Sequence, residues 1–319
     1  MQDWGGHPKT RVLNCGVMQK NSTPHAGKPA QVIEELRPGQ SIELLKELHI
    51  LTREGKLNQD TRRKLKQVYH LYQFIEPLLN EVNEVSASGK SFTLAAHGAG
   101  KSYLGFILYD LFFNVAHAGQ PPAGHIYGIE TRAELVEKSR ALATRLGFAN
   151  MSFLNLSVQE ATTSAELPAT VDIVTALHAC DTATDDAIAF GLAKQARHMV
   201  LVPCCQAEVA GVLKKSRALN LNKNPLAELW RHPLHTREFG SQITNVLRCL
   251  QLEANGYQVT VTELVGWEHS MKNELILASR PVTPNIAKTR EAQTRLQQVL
   301  DELGLGALTT RFAVVARLS

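Results

Sequence analysis

Long hydrophobic runs are missing from this 319-residue chain. No stretch of about 18 consecutive apolar residues occurs, which excludes a helix crossing a bilayer. Cysteine is scarce. The five present, Cys15, Cys180, Cys204, Cys205 and Cys249, are odd in number and scattered, which excludes a secreted disulfide framework. They also lack the Cys-x-x-Cys spacing of a structural zinc site, so no metal is expected, with zinc held by His178 and the cysteines Cys180, Cys204 and Cys205 as the lesser alternative. An excess of one charge is missing too: 34 Lys and Arg against 30 Asp and Glu leave a formal net charge of +4. That balance permits RNA as a partner but is not the footprint of a dedicated DNA binder. The first residues lack the charged-then-apolar order of a signal peptide, so a cytoplasmic, membrane-free protein is expected.

Apolar residues make up 44% of the chain, enough for a sizeable core. Residues 1–30, rich in Gly, Pro, Asn, Ser and His, read as a flexible tail. Residues 31–86 carry apolar positions at helical spacing and predict an N-terminal segment of three or four helices, with Arg53, Lys56, Arg62, Arg63, Lys64 and Lys66 between them. Beyond this segment, short apolar runs alternate with helical ones. SFTLAA, HIYGIE, MSFLNLS, VDIVTALHA and HMVLVPCC read as five strands of a parallel sheet. YQVTVTELV and NELILASR read as an antiparallel pair closing one edge. The expected fold is α/β, a Rossmann-like seven-stranded sheet with helices on both faces, spanning residues 87–281. Residues 282–319 form a C-terminal appendage, a charged helix over 286–303 followed by a β-like RFAVVARL.

The first strand runs into His97-Gly98-Ala99-Gly100-Lys101-Ser102, which then opens a helix. A glycine turn at a helix N-terminus offers unpaired N–H groups to a polar or anionic ligand. With Ala95 in front, the stretch is one substitution from the phosphate-binding pattern of nucleotide triphosphatases, so a P-loop ATPase is a rival reading. Against it, no strand ends in an aspartate suited to magnesium. Glu130 instead ends the second strand, thirty residues beyond Gly100, where a carboxylate accepts the hydroxyls of a nucleoside ribose. The antiparallel ending also belongs to the methyltransferase sheet.

HGAGKSYLGFILYDLF, IYGIETR, ALHACDTATDDAI, LVPCCQ and WEHSMKNELI resemble, in order, the motifs of a family of bacterial methyltransferase-domain proteins. More remotely, the Gly-Ala-Gly-Lys loop and the His-x-Cys element are similar to those of the tRNA 2′-O-methyltransferase family. The resemblance covers residues 64–280 and implies S-adenosylmethionine as cofactor. It implies that Gly98 and Gly100 line the methionine part, with His97 and Lys101 also at the cofactor, that Glu130 takes the ribose, that Ser157 and Val158 border the adenine, and that Leu177 and His178 complete the wall. One position departs from it. Such loops begin with an acidic residue, and here Ala96 stands there; losing that acceptor costs on the order of 1.5–3 kcal/mol of cofactor affinity unless another group compensates.

In a parallel sheet the ends of the fourth and fifth strands meet at one edge, which brings His178, Cys180 and Asp181 beside Cys204 and Cys205. His178 and Asp181 are candidates for aligning an acceptor or taking its proton, and Cys204, in Pro-Cys, is a candidate nucleophile. The bland alternative is a set of small packing residues, with Asp181 or Thr182 capping the next helix. The segment 214–240 is longer than a crossover needs; either Arg231, His232, His235 and Arg237 clamp phosphates or the segment is an exposed lid of ordinary polarity. The loop from Trp267 to Asn273 faces the same edge. RNA is the expected acceptor, with a protein or a small molecule as alternatives and a non-catalytic cofactor- or RNA-binding module as a further rival.

Overall fold

A computed structural model describes residues 33–86, 91–98, 100, 103–120, 122–177, 181–204, 206–220, 225–264 and 274–315. The apolar runs become strands β1 (Phe92–His97), β2 (Gly124–Ile129), β3 (Met151–Leu154), β4 (Ile173–Leu177), β5 (His198–Val202), β6 (Gln258–Glu263) and β7 (Glu274–Ser279). They form one sheet in the order β3-β2-β1-β4-β5-β7-β6. The first five are parallel, and β7 runs antiparallel to both β5 and β6. All six residues of β1 are buried, as expected of a central strand covered on both faces.

The helices are α1 (Ile42–Glu47), α2 (Gln59–Ser86), α3 (Tyr103–Leu108), α4 (Ala133–Leu146), α5 (Val158–Thr163), α6 (Ala183–Ala193), α7 (Glu208–Asn220), α8 (Pro233–Ala254) and α9 (Ile286–Glu302). Residues Leu36–Ser319 make one body. Gly147, at φ 70°, ends α4 in the left-handed conformation its position in the sequence signals. No helix among the described residues is long and apolar enough to cross a membrane.

Three expectations are corrected. The N-terminal segment contributes two helices among its described residues, not three or four, because the apolar positions from Leu65 to Leu79 all lie on the single helix α2, which continues through Pro77. The segment 214–240 is not an open lid. It comprises the end of α7, a 3₁₀ turn (Pro225–Trp230) and the start of α8, and Trp230 is fully buried against Phe239. The stretch from Arg311 to Val315 is not a strand. Side-chain amides of α8 hold it instead: Gln251 donates to the Ala313 carbonyl at 3.2 Å, and the Val315 N–H donates to Asn255 Oδ1 at 2.9 Å. Phe312 is thereby buried with Leu296 and Leu300 of α9 against Leu247 and Leu250 of α8. The tail over 1–30 and the loop over 87–90 lie outside the described residues.

Two features shape the region around the sheet's carboxyl edge. α3 continues without a break into a π-helix (Tyr109–Ala116), whose Asp110 is fully buried and accepts the Ser41 N–H at the head of α1 at 3.2 Å. α7 and α8 approach so closely that a Cβ at Gly240 would sit 2.8 Å from the Ala210 backbone, which only glycine allows.

Candidate functional site

Gly98 and Gly100 follow β1 at φ 58° and 54°, a backbone state that β-carbons disfavour. This turn aims the Gly100 N–H at the end of β2, where Glu130 Oε2 accepts it at 2.7 Å. Glu130 is 7% exposed and also accepts from the Arg132 backbone N–H, Nε and Nη2 at 3.1, 3.0 and 3.1 Å. Those bonds from Arg132, outweighing the cost of burial and helped by the backbone N–H groups, hold the carboxyl down to about 2. Glu130 is thus a fixed anion at neutral pH. Arg132 and Asn155, which donates to the Glu130 and Thr131 carbonyls at 3.0 and 2.8 Å, were not singled out from sequence. Only their place one strand-end away from the glycine loop would have flagged them.

After β3, Ser157 caps α5 in a reciprocal pair with Glu160, so its side chain is spent on the helix. Val158 is half-buried against the core. On β4, Thr175 pairs in register with Ala96, and His97 with Ala176. Alternation therefore puts Ala96, Thr175 and Leu177 on one face and His97 on the other. His97 is 2% exposed, packs edge-on against Phe190 at 4.1 Å, and burial pushes its pKa down to about 3. It is a neutral wall residue rather than a proton carrier.

At the ends of β4 and β5 the structure places Asp181 and Cys204; His178, Cys180 and Cys205 lie outside the described residues, as do Lys101, Trp267 and Asn273. Asp181 holds φ 51°, and its Oδ1 accepts the Ala207 N–H at 2.8 Å and the Glu208 N–H at 3.3 Å, capping α7. That engagement makes it a brace for the loop before α7 rather than an open base. Thr182 makes no side-chain cap on α6, contrary to the capping-box spacing. Asp185 instead forms a buried bidentate pair with Arg248, both bonds 2.7 Å, and Arg248 also donates to the Asp181 carbonyl. Cys204 is half-buried. Of the expected phosphate clamps, Arg231 pairs with Glu228 and Arg237 with Glu238, while His232 and His235 are exposed. Their charges are therefore largely matched. No group of three or more metal-ligating side chains occurs among the described residues.

A cavity of about 330 Å³ opens beside the glycine loop, between α2 and the ends of β1 and β4. Its walls are Leu48, Val68, Leu71, Ala96, Leu104, Gly105 and Leu177, with Gly98 at the loop side and Lys64, Gln67, His97, Tyr103 and Thr175 as the polar members. Burial raises the Tyr103 hydroxyl's pKa, keeping it a neutral donor.

This sheet order, with a seventh strand inserted antiparallel between the fifth and sixth, defines the class I methyltransferase architecture. The sequence agrees: residues 63–212 match a family described as "Methyltransferase domain". Residues 63–212 are thus similar to a methyltransferase domain, carried on a sheet of the class I order. Similar solved structures include an rRNA methylase from Streptococcus thermophilus, 8% identical, covering 60% of this chain and 87% of that one at a TM-score of 0.38. They include magnesium protoporphyrin IX methyltransferase from Synechocystis PCC 6803 with bound S-adenosylhomocysteine, 17% identical, covering 75% and 94% at 0.40. A Klebsiella pneumoniae protein assigned as an O-methyltransferase is 11% identical, covering 78% and 94% at 0.44. At these identities the likeness says nothing about an acceptor. No curated protein matches the chain.

The residues fit the cofactor. The positive-φ glycines leave a cradle without side chains, and the neighbouring carboxylate is held ionised at the strand end.

Proposed function

We propose that this chain binds S-adenosylmethionine through Gly98, Gly100 and Glu130, with His97, Leu177 and the backbone at Ser157 and Val158 as walls, and methylates an acceptor at the carboxyl edge of β1 and β4. The supporting observation is the 2.7 Å bond from the Gly100 N–H to Glu130, which joins the glycine turn to an ionised acceptor for a ribose. The bound cofactor supplies a methyl group on a sulfonium, already a good leaving group. The chain's own residues then act by positioning, which is worth several kcal/mol when reacting atoms are held in line. Arg248, paired with Asp185, holds the Asp181 carbonyl, and the Asp181 carboxylate braces the start of α7.

For the acceptor, RNA has one observation in its favour. Between Arg53 and Lys66 six basic residues face two acidic ones, Glu54 and Asp60, and Arg53, Lys56, Arg62, Arg63 and Lys66 are exposed on and before the start of α2. The likeness to tRNA 2′-O-methyltransferases belongs to this reading, as do acceptor-binding roles for Arg231 and His235 and, outside the described residues, for Trp267 and Asn273. Calorimetry with S-adenosylhomocysteine and with ATP–magnesium tests the cofactor reading. Tight homocysteine-nucleoside binding is expected; ATP binding in its place would overturn it. Transfer of labelled methyl into RNA, protein and small-molecule fractions of cells lacking the gene tests the acceptor.

A further inference from the structure

The cavity beside the glycine loop has a chemistry that neither the cofactor nor a polynucleotide requires. We infer that it is the acceptor pocket, and that it takes a small molecule with an apolar body and one acidic oxygen, a carboxylate or an acidic phenol. The inference rests on the proposed cofactor reading. Its place carries the first part: Gly98, Ala96 and Leu177 form one wall, so whatever fills the space lies against the cofactor's methionine end.

Its lining carries the second part. Leu48, Val68, Leu71, Leu104 and Leu177 offer apolar surface on several sides, and Ala96 adds a methyl where methyltransferase loops of this kind carry an acid. At about 330 Å³ the space falls within the range of small-molecule sites and holds a fused-ring body. A nucleobase would bury several donors and acceptors here with few partners, each unmet one costing about 1–3 kcal/mol. An apolar ring loses nothing.

The acidic oxygen follows from the polar groups. Thr175 is 1% exposed, and its hydroxyl has no partner among the described residues, a buried polar group that a turn about χ1 would bring to a ligand. Tyr103 offers a protonated hydroxyl. Lys64 stands on α2 at the cavity, paired with Asp60 at 2.9 Å, within a segment of net positive charge. All three favour an oxygen that accepts. His97 is no base at neutral pH, and an acid that arrives ionised needs none. Its oxygen gives an electron pair to the methyl carbon as the carbon–sulfur bond breaks, the sulfur keeps that bond's pair, and a neutral ester or ether leaves.

The test uses the full chain with 2-naphthoate, methyl 2-naphthoate, S-adenosylhomocysteine and a single-stranded RNA oligonucleotide as probes. Val68→Phe and Leu48→Phe each fill the cavity from a different element, and melting curves identify whichever variant folds. Expected is saturable naphthoate binding, at least tenfold tighter than that of its methyl ester, lost at least tenfold in the filled variants while homocysteine-nucleoside affinity changes less than twofold. Lys64→Gln should weaken the acid and spare the ester. Parallel loss of homocysteine-nucleoside binding in the filled variants assigns the cavity to the cofactor and overturns the inference. So does naphthoate failing to bind while the oligonucleotide binds and is lost on filling. Failure of the wild-type chain to bind S-adenosylhomocysteine sinks the cofactor reading itself, a result separate from either.

Discussion

Glu130 shows how much chemistry one side chain concentrates. Its carboxylate is nearly buried yet ionised because the Arg132 guanidinium and two backbone N–H groups surround it. Glu130→Gln keeps the shape and removes the charge, so affinity for S-adenosylhomocysteine should fall roughly 10- to 100-fold by calorimetry, the worth of about 1.5–3 kcal/mol in charge-assisted bonds. An unchanged affinity would remove Glu130 from the site. Ala96 makes the opposite case. It is 5% exposed among leucines, so Ala96→Asp buries a carboxylate without a partner. The melting temperature of the ligand-free variant should drop, with part of the loss recovered on adding S-adenosylmethionine, whose ammonium supplies a counter-charge. Sequence named both positions, since each ends a short apolar run. It could not show that Arg132 already occupies Glu130, because that contact depends on rotamers after the strand.

At the scale of elements, the buried pair Asp185–Arg248 joins α6 to α8 with side chains 3% and 1% exposed. Arg248→Met leaves the Asp185 charge unmet and should cost about 3–5 kcal/mol in denaturant unfolding, with much of that loss recovered in Asp185→Leu/Arg248→Met. If the double variant is no better than the single, Arg248 works mainly through Asn245 and the Asp181 carbonyl. Asp110 on the π-helix behaves differently. Burial raises its carboxyl to about 6, against the opposing bond from Ser41. The native state therefore holds the proton more tightly than the unfolded chain, and this contribution to stability is present below about 4 and lost as pH rises through 6. Asp110→Asn, whose amide oxygen still accepts the Ser41 N–H, should raise the melting temperature at pH 7.5 and lose that advantage at pH 4.5. The seven strands, the antiparallel ending and the span of α9 were legible because the short apolar runs and the period-3.6 pattern are strong there. The lid was not. Its Arg, His and Lys read as exposed loop, whereas the single buried Trp230 and the close approach at Gly240 fold it into packed helices.

For the whole molecule, the C-terminal segment packs onto α7 and α8 rather than hanging from the domain. Leu296, Leu300, Leu305 and Phe312 share one apolar cluster with Val209, Leu213 and Leu247, and Arg311 reaches Asp186 and Glu208 at 3.1 Å each. A chain ending at Pro281 should lose cooperative melting and bind a hydrophobic dye. Retention of a sharp transition would show α9 to be dispensable. The tie from Arg311 to the first turns of α6 and α7 also links the distant end of the chain to the loops after β4 and β5.

The Glu130–Arg132 contact has a thermodynamic consequence. Before any ligand arrives, the carboxylate proposed to take a ribose already has its bonds, so binding there is an exchange of partners and not a simple addition. The heat released on binding should be smaller than the new contacts alone would give. An Arg132→Ala protein, with the guanidinium bonds gone and only backbone N–H partners left, should bind with a more favourable enthalpy.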